Sequence, residues 1–592
     1  MKVIKRQPHK GYLDCWLWVP KQFVDMDGTK RALTYEVNDY NGRTKWLYLW
    51  QETADHLLLP RAFWDPSTLP FQVVDCRPTK FTKFNIRSRI KLDHLPQDVN
   101  GIIQLMPTHR VVQKNAFKAL SDSYGGVLQL ACGKGKTIVA LKLIATEGTP
   151  ALICLDNTNL LSQWKDDIEE FLDVPGGVGF IMAGKKQWKK AIVLATYQSI
   201  ANWSATMPEE VRRWFSKIIF DEGHHVSAPT YAKGAPLIYG NRFSLTATPE
   251  RDDGFHIISD LHLGKVLYKD LSPELRPTIA FYWTGLEPDM RDPNVAARVL
   301  DINQEVHVSK LAGYFGQWNP RLQLIIETCV EAITKHRRVL VLSNSVDEVI
   351  NLMVIWTRGW PELTNGGMYT DIPIPTPQDV GETLTPADLP TKDLKKIVKA
   401  QLRLTSQLKK ATSTGDQQLI QAELDQVQQT LKQFAVHKKI KNLMEKRQKA
   451  FIKQLVSECS SAGMLTYGVP PATRQQFLNS CPLNFAVTKY GKEGLDCQAL
   501  DTVVLSSLFS SKNGLQQVMG RPTRPMPGKK SPLIVALVDN VGQCLGMSKK
   551  LQGHLRSWPR EEGGPYDFIL VNYPVAWTNR KTTETIQDLL GR

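Results

Sequence analysis

The order of apolar and polar positions changes texture along the chain. Up to about residue 95, short aromatic and β-branched runs, CWLWV (15–19), LTYEV (33–37), KWLYLW (45–50) and FQVVDC (71–76), are separated by turn material such as MDGTK and NDYNGR. Runs of this length, bounded by Gly, Asn and Asp, predict a small antiparallel β-rich domain over 1–95. The stretch KFTKFNIRSRIKL (80–92) alternates basic with apolar residues. It predicts a strand with Lys83, Arg87, Arg89 and Lys91 along one face, where Arg87 and Arg89 are candidate nucleic-acid contacts.

From about residue 100 the pattern becomes continuous apolar runs, ALICL (151–155), AIVLA (191–195) and KIIF (217–220), each followed by a helical or loop segment. Strands that are apolar on both faces and alternate with helices predict an α/β domain with a parallel sheet, here over 96–272. The texture returns at RVLVLS (338–343), NFAVTKY (484–490), DTVVLSS (501–507) and PLIVALVDN (532–540), so a second α/β domain is expected over 301–592, after a linker at 273–300. Residues 361–456 interrupt that domain. The first thirty or so are rich in Pro, Thr, Gly and Asp. Then Leu394, Ile397, Gln401, Leu404 and Leu408, and again Ile420, Leu424, Val427, Leu431 and Phe434, step by three and four. This predicts an antiparallel helical hairpin turning at STGD (413–416), with Asp416 as N-cap.

Composition narrows the class. A chain of 592 residues exceeds one ordinary core, and 42 % apolar with 22 % charged residues is globular composition. The formal charge of +16 favours a polyanionic partner. Nine scattered cysteines, none in a C-x-x-C pair, suit free thiols in a reducing compartment. The opening MKVIKRQPHKGYLDC has no apolar signal core, and no apolar run is long enough to span a bilayer. A cytoplasmic location is the expectation.

Chemistry concentrates in LQLACGKGKTIVALKLI (128–144). A short apolar strand, a turn with Gly133 and Gly135, and a helix make the order a phosphate-binding loop needs, because backbone N–H groups and a helix N-terminus must face the phosphates. Lys134 lies within the loop, Lys136 would reach the β- and γ-phosphates, and Thr137 would hold Mg²⁺. Leu130 stands where such loops often begin with glycine. A second site, IIFDEGHH (218–225), ends a buried strand in two acids. Asp221 suits an Mg²⁺ ligand and Glu222 the residue that polarises the attacking water; ATP with Mg²⁺ is the expected cofactor pair.

ACGKGKT, DEGHH, SLTATPERDDG (244–254), TKYGKEGLD (488–496) and QVMGRPTR (517–524) stand in the order of motifs I, II, III, V and VI of superfamily 2 helicases. The chain resembles their DExH branch, which includes XPB-like proteins, type III restriction motor subunits and phage branch-migration helicases. The resemblance implies two RecA-like domains in tandem, the hairpin being inserted in the second. It implies catalytic roles for Lys136, Glu222, Gln517, Arg521 and Arg524, the arginines stabilising transferring phosphate from the second domain. Gln113, in RVVQKNAFKAL (110–120), becomes an adenine-side contact, and Gly494 and Asp496 further nucleotide contacts. Thr196 and Gln198 of VLATYQSI (193–200), with Thr488, would face a bound strand, while Thr246 and Thr248 would couple hydrolysis to it. Asp156 and Asn157 replace the usual Pro-Thr pair of motif Ia.

The expected activity is an ATP-dependent DNA helicase or translocase, acting as a monomer on forked or branched DNA in replication, recombination or repair. The partners are then sequence-neutral DNA and proteins of those processes. An RNA-remodelling helicase, or an ATP-gated clamp or motor subunit serving a nuclease, are the alternatives.

Overall fold

The computed structural model describes residues 6–38, 44–99, 102–182, 184–223, 232–247, 256–273, 275–301, 303–359, 379, 401, 404, 414–492, 497–509, 511–524 and 526–572. The chain forms two compact units, one of Met1–Ala296, Cys329–Leu342 and Thr488–Arg592, the other of Ala297–Thr328 and Ser343–Val487.

The first unit opens with β1 (Gly11–Leu13), β2 (Leu17–Pro20), β3 (Thr34–Asn38), β4 (Thr44–Tyr48), β5 (Gln51–Glu52), β6 (His56–Leu59) and β7 (Val73–Asp75). Five of these form a sheet in the order β5-β6-β2-β1-β7, while β3 and β4 make a separate hairpin. The pairings are antiparallel apart from β1 with β7. Leu17, Val19, Leu57 and Leu59 fill the core, and Ile258 joins them from later in the chain.

Next come β8 (Arg87–Ser88), β9 (His94–Val99), β10 (Ile102–Pro107), β11 (Gly125–Leu130), β12 (Ala151–Leu155), β13 (Leu172–Asp173), β14 (Gly179–Met182), β15 (Lys185–Lys186), β16 (Ile192–Thr196), β17 (Lys217–Asp221), β18 (Asn241–Thr246) and β19 (Val266–Asp270). An eight-stranded sheet runs β15-β14-β16-β12-β17-β18-β11-β19. It is parallel except for its β15 edge. The central strands β12 and β17 are buried throughout, which is why they read as unbroken apolar runs.

The remaining strands are β20 (Thr278–Trp283), β21 (Val339–Ser343), β22 (Ala462–Leu465), β23 (Leu483–Val487), β24 (Thr502–Leu505), β25 (Leu533–Val538) and β26 (Phe568–Asn572). Within the first unit they pair in parallel in the order β21-β24-β25-β20-β26. In the second unit β22 pairs in parallel with β23. The fold is thus α/β with parallel sheets, of the kind tandem RecA-like domains have.

Three expectations need correction. The segment 273–300, read as a linker, contains β20, hydrogen-bonded on both sides, and the helix Pro293–Val299. Pro277 and Gly285 flank a short strand with a buried apolar centre and mask it. The alternating run 80–92 is strand only at Arg87–Ser88. Its apolar residues Ile86 and Ile90 enter the core of the eight-stranded sheet, and Phe84 and Leu92 pack beside them. Its cations serve helix ends. Arg89 donates to the carbonyls of Glu170 (2.7 Å) and Glu169 (2.8 Å), and Lys83 to that of Glu147 (2.8 Å), satisfying C-terminal acceptors that lack intrahelical partners. The run is therefore a strap, with Arg87 its exposed cation at β8.

In the second unit the helix Thr414–Glu458 spans 45 residues. It starts two residues before the expected cap at Asp416, while the first arm of the expected hairpin lies outside the described residues apart from Gln401 and Leu404. Phe451, Ile452 and Leu455 are buried, and Arg358 pairs with Glu458 at 2.9 Å. Ser345 caps the helix Val346–Arg358, whose Glu348 is buried in an ion pair with Arg321.

Candidate nucleotide and nucleic-acid site

β11 delivers the chain into the turn 131–135, and the helix Lys136–Glu147 leaves it. Gly133 has φ 87° and Gly135, the N-cap, φ 78°. Only glycine takes that region without steric cost, so the turn can present its amides to an anion at the helix N-terminus. The departure at Leu130 is structural: it is fully buried as the last residue of β11.

Gln113 sits beneath this turn. It is buried, its Oε1 accepts from the Asp93 amide at 2.7 Å, and its Nε2 donates to the Lys134 carbonyl at 3.4 Å. A β-carbon on Gly135 would lie 2.5 Å from that Nε2. The loop and the segment before it are thus locked together. Lys136 donates to the Leu130 carbonyl at 3.2 Å, folding over its own loop. Lys134 turns away: its buried ammonium pairs with Asp270 and donates to Ser272 Oγ at 2.9 Å. Its side chain ties the loop to the end of β19, and its amide donates to the Ala131 carbonyl at 3.3 Å.

The acids of the second motif end β17, on the same edge of the parallel sheet as the loop. Asp221 is buried, its Oδ2 accepting from Trp164 Nε1 at 2.8 Å and its Oδ1 from the Glu222 amide at 3.1 Å. Burial first, and the neighbouring Glu222 second, hold its carboxyl well above the usual range, while Trp164 and Lys136 act in the opposite direction. Glu222 has φ 47°, a conformation non-glycine residues rarely take. Thr246 Oγ1 donates to its Oε2 at 3.4 Å. Thr248 lies outside the described residues.

The helix Lys512–Met519 follows β24 and carries Gln517, half-buried, toward the turn with Arg521 and Arg524. This turn packs on the loop. A β-carbon on Gly133 would lie 3.1 Å from Arg524 Cγ, and one on Gly520 2.8 Å from Cys132 Cβ. Glycine at 133 and 520 lets the backbones approach this closely. Burial lowers the Arg524 pKa, and Gln516 Nε2 reaches the Ala247 carbonyl at 3.2 Å. Motifs I, III and VI therefore meet.

The strand-facing candidates are less uniform. Thr196 accepts from the Ser199 amide at 3.2 Å and so caps the helix Tyr197–Trp203. Gln198 is exposed and bonded to Asn202. Thr488 is buried at the start of the helix Thr488–Lys492. Gly494 and Asp496 lie outside the described residues. Asn157 Oδ1 accepts from the Leu160 amide at 3.1 Å in the first turn of the next helix, a use for the residue that replaces the usual threonine.

ATP fits the glycine turn and the helix N-terminus that follows it. For a divalent cation the available donors are the Thr137 hydroxyl, in the first turn of the loop helix, and the Asp221 carboxylate; among the described residues no group of three or more His, Cys, Asp or Glu offers a protein-only cage. A hydroxyl and one carboxylate suit Mg²⁺ shared with phosphate oxygens. Trp164 was not foreseen as part of the site. Its signal was present: Leu161, Trp164 and Ile168 share a buried helix face, and a core indole N–H requires an acceptor.

Residues 106–251 match the family described as "Type III restriction enzyme, res subunit". This segment is related to superfamily 2 helicases. The chain is 36 % identical over 167 residues to a DNA 3'-5' translocase XPB2 of Sulfurisphaera tokodaii, covering 28 % of this chain and 36 % of that protein. It is 28 % identical over 232 residues to the XPB helicase/translocase subunit of general transcription and DNA repair factor IIH of Encephalitozoon cuniculi, 34 % of each. The chain spans about a third of the length of these relatives. Among solved structures, a fragment of an HsdR subunit of a type I restriction enzyme from Vibrio vulnificus aligns with TM-score 0.42 and 15 % identity, over 78 % of this chain and 68 % of that one.

Proposed function

We propose that the protein is an ATP-dependent DNA translocase or helicase that works on duplex or branched DNA. The observation that carries the reading is the packing of the Arg524 turn on the Gly133 loop, beside the sheet edge where Asp221 and Glu222 emerge. A loop alone binds nucleotide. An arginine from the second sheet's segment, brought to that loop, can stabilise charge on a transferring phosphoryl group.

In this reading the amides of 135–137 and the Lys136 ammonium bind the phosphates, Gln113 braces the loop, and Thr137 and Asp221 hold Mg²⁺, which neutralises phosphate charge when bound. Glu222 orients the attacking water and accepts its proton. Arg521, Arg524 and Gln517 contact the γ-phosphate side, and Gly494 and Asp496 complete the nucleotide contacts. Thr246, bonded to Glu222, carries the state of the site toward nucleic acid. Thr196, Gln198, Thr488 and Arg87 supply strand contacts; Arg89 belongs to the fold instead. The name of the Sulfurisphaera tokodaii relative supports DNA and 3'-to-5' movement; the reading takes the protein as a cytoplasmic monomer.

The test measures ATP hydrolysis with no nucleic acid, with blunt and forked duplex DNA and with RNA, together with strand displacement. Stimulation by duplex DNA with displacement or branch migration is expected. Stimulation by RNA alone would replace the reading with an RNA-remodelling one, and hydrolysis indifferent to every nucleic acid would remove it.

A further inference from the structure

In the second unit, the helix Thr414–Glu458 carries Lys432, Lys439, Lys446 and Lys453 at intervals of seven, all exposed. The intervening positions of the same stripe hold Ala435, Asn442 and Lys449, also exposed, so the stripe contains no acid. Among the described residues Lys432, Lys446, Lys449 and Lys453 have no ion pair. On the side of the helix turned away from Lys446 and Lys453, Phe451 and Leu455 are buried, so there the lysine side is the outer one; Val436, one turn after Lys432, is buried as well.

A seven-residue step on a helix rises about 10.5 Å, so the four lysines form a row about 31 Å long with a drift of only about 20° per step. The row is straight and held on one rigid element. A duplex is the matching polyanion: it stays straight far beyond this length and brings phosphates to one side over about 34 Å per turn. A flexible single strand would have to be ordered to match the row.

We infer that this lysine row is a docking edge for the backbone of duplex DNA. The inference deepens the DNA-motor reading and rests on it. Neutralising surplus charge elsewhere changes net charge equally but does not remove a row in register, and that difference makes the test.

The test compares the wild-type chain with Lys432, Lys439, Lys446 and Lys453 all changed to Glu, and with the same four changed to Gln, which keeps helix propensity. A control changes the exposed Lys118, Lys185, Lys549 and Lys550 to Glu. Binding to a blunt 20-base-pair DNA duplex, the same length of duplex RNA and a single DNA strand is followed against salt, alongside circular dichroism and ATPase without DNA. Expected are unchanged helicity and DNA-free ATPase, a duplex-DNA salt slope lower by about 3 to 4 in both row variants, and a smaller change in the control and on single strands. If the Gln variant keeps the wild-type slope, or loses single-strand or duplex-RNA binding as strongly as duplex DNA, the inference fails. If wild-type ATPase ignores DNA altogether, the motor reading fails instead, and the slope still reports on the row.

Discussion

Trp164 Nε1 donates a 2.8 Å hydrogen bond to Asp221 Oδ2, joining the core of one helix to a carboxylate at the end of β17. Both partners are buried. The indole therefore fixes which way the carboxylate turns.

Trp164→Phe keeps most of the ring and removes the donor. A hydrogen bond to a charged group contributes about 1.5–3 kcal/mol, so the Mg²⁺ concentration that half-saturates nucleotide binding should rise about tenfold. A fluorescent ATP analogue titrated with and without Mg²⁺ reads this directly. Equal Mg²⁺ dependence in both proteins would reduce Trp164 to a packing residue.

Asp221→Asn should abolish hydrolysis and yet stabilise the nucleotide-free chain. Because burial raises the folded-state pKa of Asp221, ionising it at neutral pH costs the folded protein more than the unfolded chain. That cost is absent below the unfolded carboxylate range, builds up between that range and the raised folded pKa, and is complete above it. The variant should melt about 2–4 °C higher at pH 7.5 and no higher at pH 4. A lower melting temperature at pH 7.5 would contradict the assignment.

Lys136→Ala, Glu222→Gln and Arg524→Ala separate steps at one site. The first should lose ATP binding and hydrolysis together. The other two should bind ATP with near wild-type affinity and lose about a hundredfold or more in turnover. Normal turnover in Arg524→Ala would mean that the packing seen at Gly133 has no chemical role.

Lys134→Met tests a residue whose sequence position suggests phosphate binding and whose side chain does otherwise. Asp270 is half-buried; burial opposes its charge, but hydrogen bonds from Lys134 and Ser272 prevail and lower its pKa. Removing the buried cation should cost about 3 kcal/mol of stability, seen by denaturant melts, with Kd for ATP changed less than in Lys136→Ala. The wild-type pair contributes stability above the unfolded carboxylate range and loses it as pH falls, so the difference between the two proteins should shrink in acid.

Continuous apolar strands such as β12, β16 and β17 were legible because parallel sheets bury both faces, and the loop and acid pair were legible because their chemistry demands fixed residue types. β20 was not: two helix- and strand-breaking residues beside it carry the local signal of a linker, while its pairing partners β25 and β26 lie far along the chain. The roles of Lys134 and Arg89 were hidden for a related reason. A cation's partner depends on which carbonyl or carboxylate the fold brings near, and sequence spacing does not contain that distance.

The strap through residues 84–92 also changes where the nucleotide-binding segment can be cut. Phe84, Ile86, Ile90 and Leu92 contribute to the core around the eight-stranded sheet, and the Phe84 amide donates to the Gly148 carbonyl at 2.8 Å. A truncation starting at residue 96, where the β-rich segment was expected to end, would strip apolar cover from that core and leave helix ends unsatisfied. It would tend to aggregate, whereas one starting near residue 80 retains these contacts. The N-terminal limit of the eight-stranded sheet's own cover is therefore set by the strap and not by the change in sequence texture.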